Sequence, residues 1–106
     1  LLAGASWVAE YGDPDVPTDR DFLARYSPYH NLRPGVAYPE PLFTTTTRDD
    51  RVHPGHARKM AARMEAMGLR VSYFENTEGG HGAGVTPEQQ ARLWAVVYTY
   101  LDARLR

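Results

Sequence analysis

The chain has 106 residues, of which 42% are hydrophobic and 24% are charged, proportions that are ordinary for a single globular domain. Its formal net charge of −1 provides no basic field for nucleic acid or an anionic lipid surface, so neither is expected as a partner. The absence of cysteine excludes disulfides, thiolate catalysis and cysteine-ligated zinc, but it is equally compatible with the cytoplasm and the periplasm. No run approaches the roughly 18 apolar residues of a membrane-spanning helix.

The amino-terminal part is predicted to be mostly loop, with one short helix. The chain starts at an apolar Leu1 and not at methionine, so we expect it to be part of a larger protein. Turn-forming residues concentrate in residues 9–20, which predicts a surface loop. Thr18 is predicted to cap a short helix that ends before Pro28. Residues 27–40 contain three prolines and are predicted to be an irregular segment.

A strand, a helix and a second strand are predicted next. Residues 42–46 are apolar and β-branched, which favours a buried strand. Pro54 occupies a first-turn position, and apolar residues follow it at helical spacing until Gly68 ends the predicted helix. Residues 71–74 form a second short run that is mostly apolar, and this run predicts the second strand.

The last element is predicted to be a long helix from Pro87 to about Arg104. Thr86 provides a cap, and Gln89 at the third helical position approaches the capping-box pattern. Residues 93–98 are apolar on most faces of this helix, so it is expected to be largely buried. The order strand, helix, strand, helix predicts an α/β fold with a βαβα unit and parallel strands.

The residues with the clearest chemical potential follow the two predicted strands. Asp49 and Asp50 come after the first strand, and His81 lies after the second strand in a glycine-rich loop, residues 79–84. Active sites of parallel sheets lie beyond the carboxyl ends of the strands, so both loops should open on one edge. An acid followed by a histidine is the order in which α/β-hydrolases place the last two members of a Ser-Asp-His triad. The spacing does not decide which aspartate faces His81, and the other should face solvent.

Other polar residues are weaker candidates. Ser6 lacks the second small residue and the preceding strand of a Gly-x-Ser-x-Gly nucleophile turn, and no such turn occurs in the chain. Arg51 is either a surface cation beside the two aspartates or a clamp for substrate oxygens. His53 and His56 form His-x-x-His without the glutamate of a zincin motif, so neither a metal nor any other cofactor is predicted.

Three segments of the chain resemble the carboxyl-terminal part of the prolyl oligopeptidase family of serine peptidases. Together they extend the resemblance over nearly the whole sequence. The segments are Tyr26-Ser27-Pro28-Tyr29-His30-Asn31, Thr46-Thr47-Arg48-Asp49-Asp50-Arg51-Val52-His53-Pro54-Gly55-His56 and Glu78-Gly79-Gly80-His81-Gly82-Ala83-Gly84.

The resemblance implies the carboxyl-terminal βαβα portion of an α/β-hydrolase catalytic domain that cleaves short peptides after proline. It implies that Asp49 is the triad aspartate, that His81 is the triad histidine and that Arg51 binds a backbone carbonyl of the substrate. The partners it implies are a peptide substrate, the rest of the catalytic domain and a β-propeller that restricts access. The nucleophilic serine and the oxyanion-hole donors are missing from residues 1–106, so the isolated chain is expected to be inactive.

Two other classes of function stay open at this point. The last two triad members do not specify the acyl substrate, so an acylaminoacyl peptidase or an esterase is an alternative. The segment could also be a non-catalytic interaction module that retains the motifs without using them.

Overall fold

The computed structural model describes residues 2–82, 84 and 86–106. Leu1 at the start of the chain and Ala83 of the predicted glycine-rich loop lie outside the described residues. The chain begins with a 3₁₀ helix, Leu2–Trp7. Next come α1 (Val8–Tyr11), α2 (Pro17–Tyr26), α3 (Pro28–Asn31), β1 (Leu42–Thr46), α4 (Gly55–Ala66), β2 (Ser72–Asn76) and α5 (Pro87–Leu105).

The amino-terminal helices differ in part from their prediction. Helix α2 ends at Tyr26 as predicted, but it begins at Pro17, with Val16 as the N-cap residue, so Thr18 is not its cap. Proline has a fixed φ that suits the first helical position, and this preference outweighs the capping preference of the threonine. The predicted irregular segment contains the short helix α3. The side-chain amide of Asn31 donates to three carbonyl groups at the end of α2 and just after it, which secures the junction.

The sheet confirms the predicted strand order. Strands β1 and β2 pair in parallel, with Leu42 opposite Ser72 and Thr46 opposite Asn76. Both strands therefore end at the same edge, and the loops that follow Thr46 and Asn76 open there. Helix α4 connects the strands, and Gly68 follows it with a φ of 75°, a conformation that favours glycine.

Helix α5 begins with the predicted capping box. The Thr86 hydroxyl accepts a hydrogen bond from the backbone of Gln89, and the Gln89 side chain accepts one from the backbone of Thr86. Among the described residues, no helix combines the length and the apolar character needed to cross a membrane.

A polar cluster around Glu40 fastens the far end of α5 to the amino end of β2. The Ser72 hydroxyl donates to the Glu40 carboxylate at 2.8 Å, and Arg104 and Arg70 form ion pairs with it at 2.6 and 3.2 Å. The Ser72 hydrogen bond and the two arginines lower the pKa of Glu40 against the opposing effect of its desolvation. The Tyr100 hydroxyl also donates to the Glu40 carbonyl oxygen, so α5 is fixed against the sheet at this end.

The prediction that α5 is largely buried is wrong for this chain. In α5, all of whose residues the structure describes, no side chain is buried, and Trp94 and Tyr98 are 51% and 64% exposed. The buried apolar residues of the described chain are instead Leu32, Ala61 and Met64. A sheet of two strands can cover one stripe of a helix, so the remaining apolar faces of α5 stay open.

The shape of the chain agrees with this sparse core. Its radius of gyration is 16.0 Å, whereas a compact domain of this length would have a value of about 13 Å. The principal extents of 44 × 36 × 21 Å describe a flat body and not a sphere. Much apolar surface is therefore exposed for contact with other structure.

Candidate active site

Asp49 lies in a tight loop directly after β1. The Thr47 backbone N–H donates to the Asn76 carbonyl at 2.9 Å and continues the strand pairing, and the Asp49 N–H then donates to the Thr46 carbonyl at 3.1 Å. The carboxylate turns back on its own loop, where Oδ1 accepts the backbone N–H groups of Arg51 at 2.9 Å and Val52 at 2.8 Å. These two donors orient the carboxylate independently of any other part of the chain.

His81 meets this carboxylate from the loop after β2. Its Nδ1 lies 2.9 Å from Oδ2 and 3.1 Å from Oδ1 of Asp49. The ring is 47% exposed, whereas the Asp49 side chain is 11% exposed. In a neutral imidazole with Nδ1–H donating to the carboxylate, Nε2 carries a free lone pair that can accept a proton. The structure thus brings together two residues separated by 32 positions in the sequence.

The electrostatics of Asp49 keep it ionised. Its partial burial is the largest single influence and raises the pKa, but the hydrogen bonds from Val52, His81 and Arg51 together outweigh it. The net effect is a pKa below the ordinary value for aspartate. A carboxylate that stays charged next to Nδ1 can stabilise an imidazolium when one forms.

Asp50 and Arg51, the next two residues, are both exposed. Asp49 is therefore the member of the acidic pair that faces the histidine, and this choice was open from the spacing alone. Within the described residues the Arg51 guanidinium forms no ion pair with either aspartate, although its backbone N–H is bonded to Asp49. Its side chain is thus exposed at the edge where the site lies.

A cavity of about 300 Å³ adjoins the pair. Its polar lining residues are Thr44, Thr45, Thr46, Asp49, His53, His56, Asn76 and His81. His53 uses Nδ1 to accept the Gly55 backbone N–H at 3.0 Å, so one of its two ligand positions is occupied. Among the described residues, no group of three or more histidine and acidic side chains is arranged to hold a metal ion.

None of the three serines in the sequence is arranged as a nucleophile. Ser6 lies in the 3₁₀ helix and its hydroxyl donates to the Ala3 carbonyl at 2.6 Å. Ser72 is at the amino end of β2, at the opposite end of the strand from Asp49 and His81, and donates to Glu40. Ser27 shares a 2.8 Å hydrogen bond with the neighbouring His30. Each of the three hydroxyls thus forms a hydrogen bond with a residue other than His81.

A second carboxylate, that of Glu75, lies beside the Asp49 loop, and sequence analysis did not identify it as a candidate. The Glu75 carboxylate accepts hydrogen bonds from Arg58 Nε at 3.0 Å, from the Tyr73 hydroxyl at 2.7 Å and from the Thr47 hydroxyl. These hydrogen bonds, that of Arg58 foremost, lower the pKa of Glu75 to about 2. Glu75 thereby joins α4, β2 and the start of the Asp49 loop. A single acidic residue in a strand carries no pattern that indicates such a role.

The chain matches the model of the prolyl oligopeptidase family over residues 2–106. It is 57% identical over 105 residues to an uncharacterized peptidase of Sinorhizobium fredii, covering 99% of this chain and 14% of that protein. It is 50% identical over 104 residues to a prolyl oligopeptidase of Omphalotus olearius, covering 92% of this chain and 14% of the relative.

A solved structure from a study of two prolyl endopeptidases superposes on 77% of this chain and 13% of its own, with a TM-score of 0.68 and 40% identity. This likeness confirms the predicted βαβα portion of an α/β-hydrolase fold. The chain spans about 14% of the length of the curated relatives. The family match covers nearly every residue of the chain, which therefore belongs to the prolyl oligopeptidase family of peptidases.

Proposed function

We propose that residues 1–106 are the carboxyl-terminal part of the catalytic domain of a longer serine peptidase that cleaves short peptides after proline. Asp49 and His81 are the acid and the base of its triad, and the nucleophilic serine comes from polypeptide outside this chain. The observation that carries the proposal is the contact of His81 Nδ1 with both carboxylate oxygens of Asp49. The family membership and the much greater length of the relatives support it.

The geometry supports a stepwise role for the two residues. Asp49 holds the imidazole with its proton on Nδ1, which leaves Nε2 free to accept the proton of a serine hydroxyl. The serine oxygen then attacks the peptide carbonyl, and the imidazolium that forms is stabilised by the carboxylate. Nε2 returns the proton to the leaving amine, and a water molecule repeats the sequence to release the acyl group.

Arg51 is the proposed substrate clamp. Its guanidinium is exposed at the edge that carries the triad pair, and no aspartate of the described chain engages it. A guanidinium donates to carbonyl oxygens in a fixed planar geometry, which suits the backbone of a bound peptide. Its role is to hold the substrate, and serine activation does not require it.

The open faces of the chain support its place in a larger domain. The exposed apolar surface of α5, including Trp94 and Tyr98, would be covered by the rest of the catalytic domain. The sheet formed by the described residues has two strands, and further strands could pair at its edges. Beyond the catalytic domain, a β-propeller would restrict the site to short peptides.

The proposal is tested on the full-length enzyme with a proline-containing chromogenic peptide and a serine-reactive fluorophosphonate probe. We expect His81→Ala to abolish both peptide turnover and labelling, because no base remains to activate the serine. His30→Ala is the matched control, since that histidine is bonded to Ser27 and lies outside the site. Unchanged turnover in His81→Ala would overturn the proposal, and labelling of the unsubstituted enzyme without peptide cleavage would point to another acyl substrate.

A further inference from the structure

Side chains in the first turn of α5 form hydrogen bonds with the histidine loop, residues 77–86, both before and after His81. After the histidine, Gln90 Nε2 donates to the carbonyl oxygens of Gly82 at 3.1 Å and Gly84 at 3.3 Å. Before it, Gln89 Nε2 donates to the carboxylate of Glu78. Two consecutive residues of a 19-residue helix therefore hold the loop that carries the histidine.

The orientation of the Gln90 amide follows from its partners. Both Gly82 and Gly84 present carbonyl oxygens, which can only accept, so the NH₂ group and not the amide oxygen must face them. The two N–H groups of that NH₂ match the two carbonyl groups in number. Gln90 thus closes a bridge across the chain that leaves His81.

The absence of a side chain at Gly84 leaves space for this bridge. A Cβ atom at that position would lie 3.2 Å from both the backbone nitrogen and Nε2 of Gln90. That separation is tighter than ordinary van der Waals contact, so a side chain at position 84 would require Gln90 to shift by a few tenths of an ångström. Glycine at this position therefore favours the close approach of the loop to α5.

We propose that Gln90 is a positioning residue for His81, which it acts on through the carbonyl groups of Gly82 and Gly84. This inference rests on the proposed function, because it assigns Gln90 to the same catalytic base. The His81 side chain is half-exposed, and its recorded partner among the described residues is Asp49. A loop with several glycines has many conformations in the absence of external contacts. The bridge selects the conformation that keeps Nδ1 on the carboxylate.

The substitution that isolates this role is Gln90→Leu, which keeps the approximate size of the side chain and removes both donors. A misplacement of the base by a fraction of an ångström should reduce kcat, and we expect a loss of about 10-fold with KM nearly unchanged. Gly84→Ala is the second variant, because it disturbs the same bridge from the loop side. Arg92→Leu is the control, since it makes a polar-to-leucine change at an exposed position of the same helix.

Two readouts on the full-length enzyme separate positioning from general loss of structure. Fluorophosphonate titration counts the active sites, so that kcat is expressed per competent enzyme molecule. Amide hydrogen exchange of the peptide covering residues 77–86 reports the loop directly, and it should accelerate in Gln90→Leu and Gly84→Ala but not in Arg92→Leu.

The outcomes distinguish the two levels of the argument. A kcat per active site within twofold of the unsubstituted enzyme in both variants would overturn the role of Gln90, whatever the exchange rate. So would a loss confined to the number of active sites, or a rise in KM that accounts for the whole effect. Full activity of His81→Ala would instead refute the proposed function, and it is measured separately.

Discussion

Replacement of Asp49 by asparagine in the full-length enzyme should leave the site assembled and yet remove its base. Oδ1 of Asp49 accepts two backbone N–H groups, those of Arg51 and Val52, at 2.9 and 2.8 Å. The amide oxygen of an asparagine must take that position, because its NH₂ group would there face two donors. The NH₂ group is then placed where Oδ2 lies now, 2.9 Å from Nδ1 of His81.

A donor at that position inverts the protonation of the imidazole. Nδ1 must accept from the new NH₂ group, so the ring proton moves to Nε2, and Nε2 can no longer take the proton of the serine. A wrong tautomer in a Ser-His-Asp triad lowers kcat by about 10⁴-fold. This corresponds to about 5.4 kcal/mol of transition-state stabilisation, at about 1.36 kcal/mol for each factor of ten.

The assay is the steady-state hydrolysis of a proline-containing chromogenic peptide, with kcat and KM determined separately. KM should change little, because Asp49 is directed at the histidine and not at the substrate. Asp50→Asn is the matched control, since the same chemical change is made at the neighbouring exposed residue. If Asp50→Asn lost as much activity as Asp49→Asn, or if Asp49→Asn kept near-normal kcat, the tautomer argument would be refuted.

Three further outcomes are expected. Arg51→Ala in the full-length enzyme should lower kcat/KM by about one to two powers of ten, the loss of one charge-assisted hydrogen bond, while fluorophosphonate labelling continues; activity equal to that of the unmodified enzyme would reduce Arg51 to a surface cation. The isolated 106-residue chain should not hydrolyse the chromogenic peptide, because no acyl-enzyme can form without the serine; turnover that is lost on Ser6→Ala would contradict this. Glu75→Gln should lower the midpoint of thermal unfolding at pH 7. The pKa of Glu75 is about 2 in the folded protein, below the ordinary value for glutamate. The ionised carboxylate therefore contributes stability that is complete above about pH 4.5 and is lost as the pH falls toward 2. The difference from the unsubstituted protein should therefore vanish near pH 2, and a difference that persists there would show that the Glu75 charge is not its cause.

The sequence predicts those elements whose determinants are local. The bounds of β1 agree with the apolar, β-branched run at 42–46, and the start of α5 agrees with Thr86 and Gln89, because a capping box needs only its own residues. Strand β2 was predicted over 71–74 but extends to Asn76. The additional residues include Glu75, which pairs with Arg58 of helix α4. No local sequence pattern indicates that partner.

The exposure of α5 shows what local sequence does not determine. Its apolar composition predicts a largely buried helix, but burial depends on what packs against the helix, and in this chain the prediction is wrong. Within this chain the sheet has two strands and leaves Trp94 and Tyr98 to contact each other, with ring centroids 5.7 Å apart. Composition therefore does not predict the burial of α5, because burial is decided by the number of strands that pack against the helix.

The candidate site divides in the same way between local and tertiary control. The meeting of Asp49 and His81 follows from topology, because the carboxyl ends of adjacent parallel strands share one edge. The acid is then oriented by backbone N–H groups two and three residues further along its own loop. Among the described residues no backbone N–H group orients His81 in the same way, and its loop is held by the side chains of Gln89 and Gln90.

This asymmetry has a consequence for the enzyme. Substitutions in the first turn of α5 should displace His81 and leave in place the two backbone donors of the Asp49 carboxylate, those of Arg51 and Val52. The catalytic rate of such a peptidase would then depend in part on two side chains of α5 that hold the His81 loop, Gln89 and Gln90. The alignment of the proposed triad pair then depends on how firmly α5 is held, at its amino end by Gln90 and at its carboxyl end by the Glu40 cluster with Arg104.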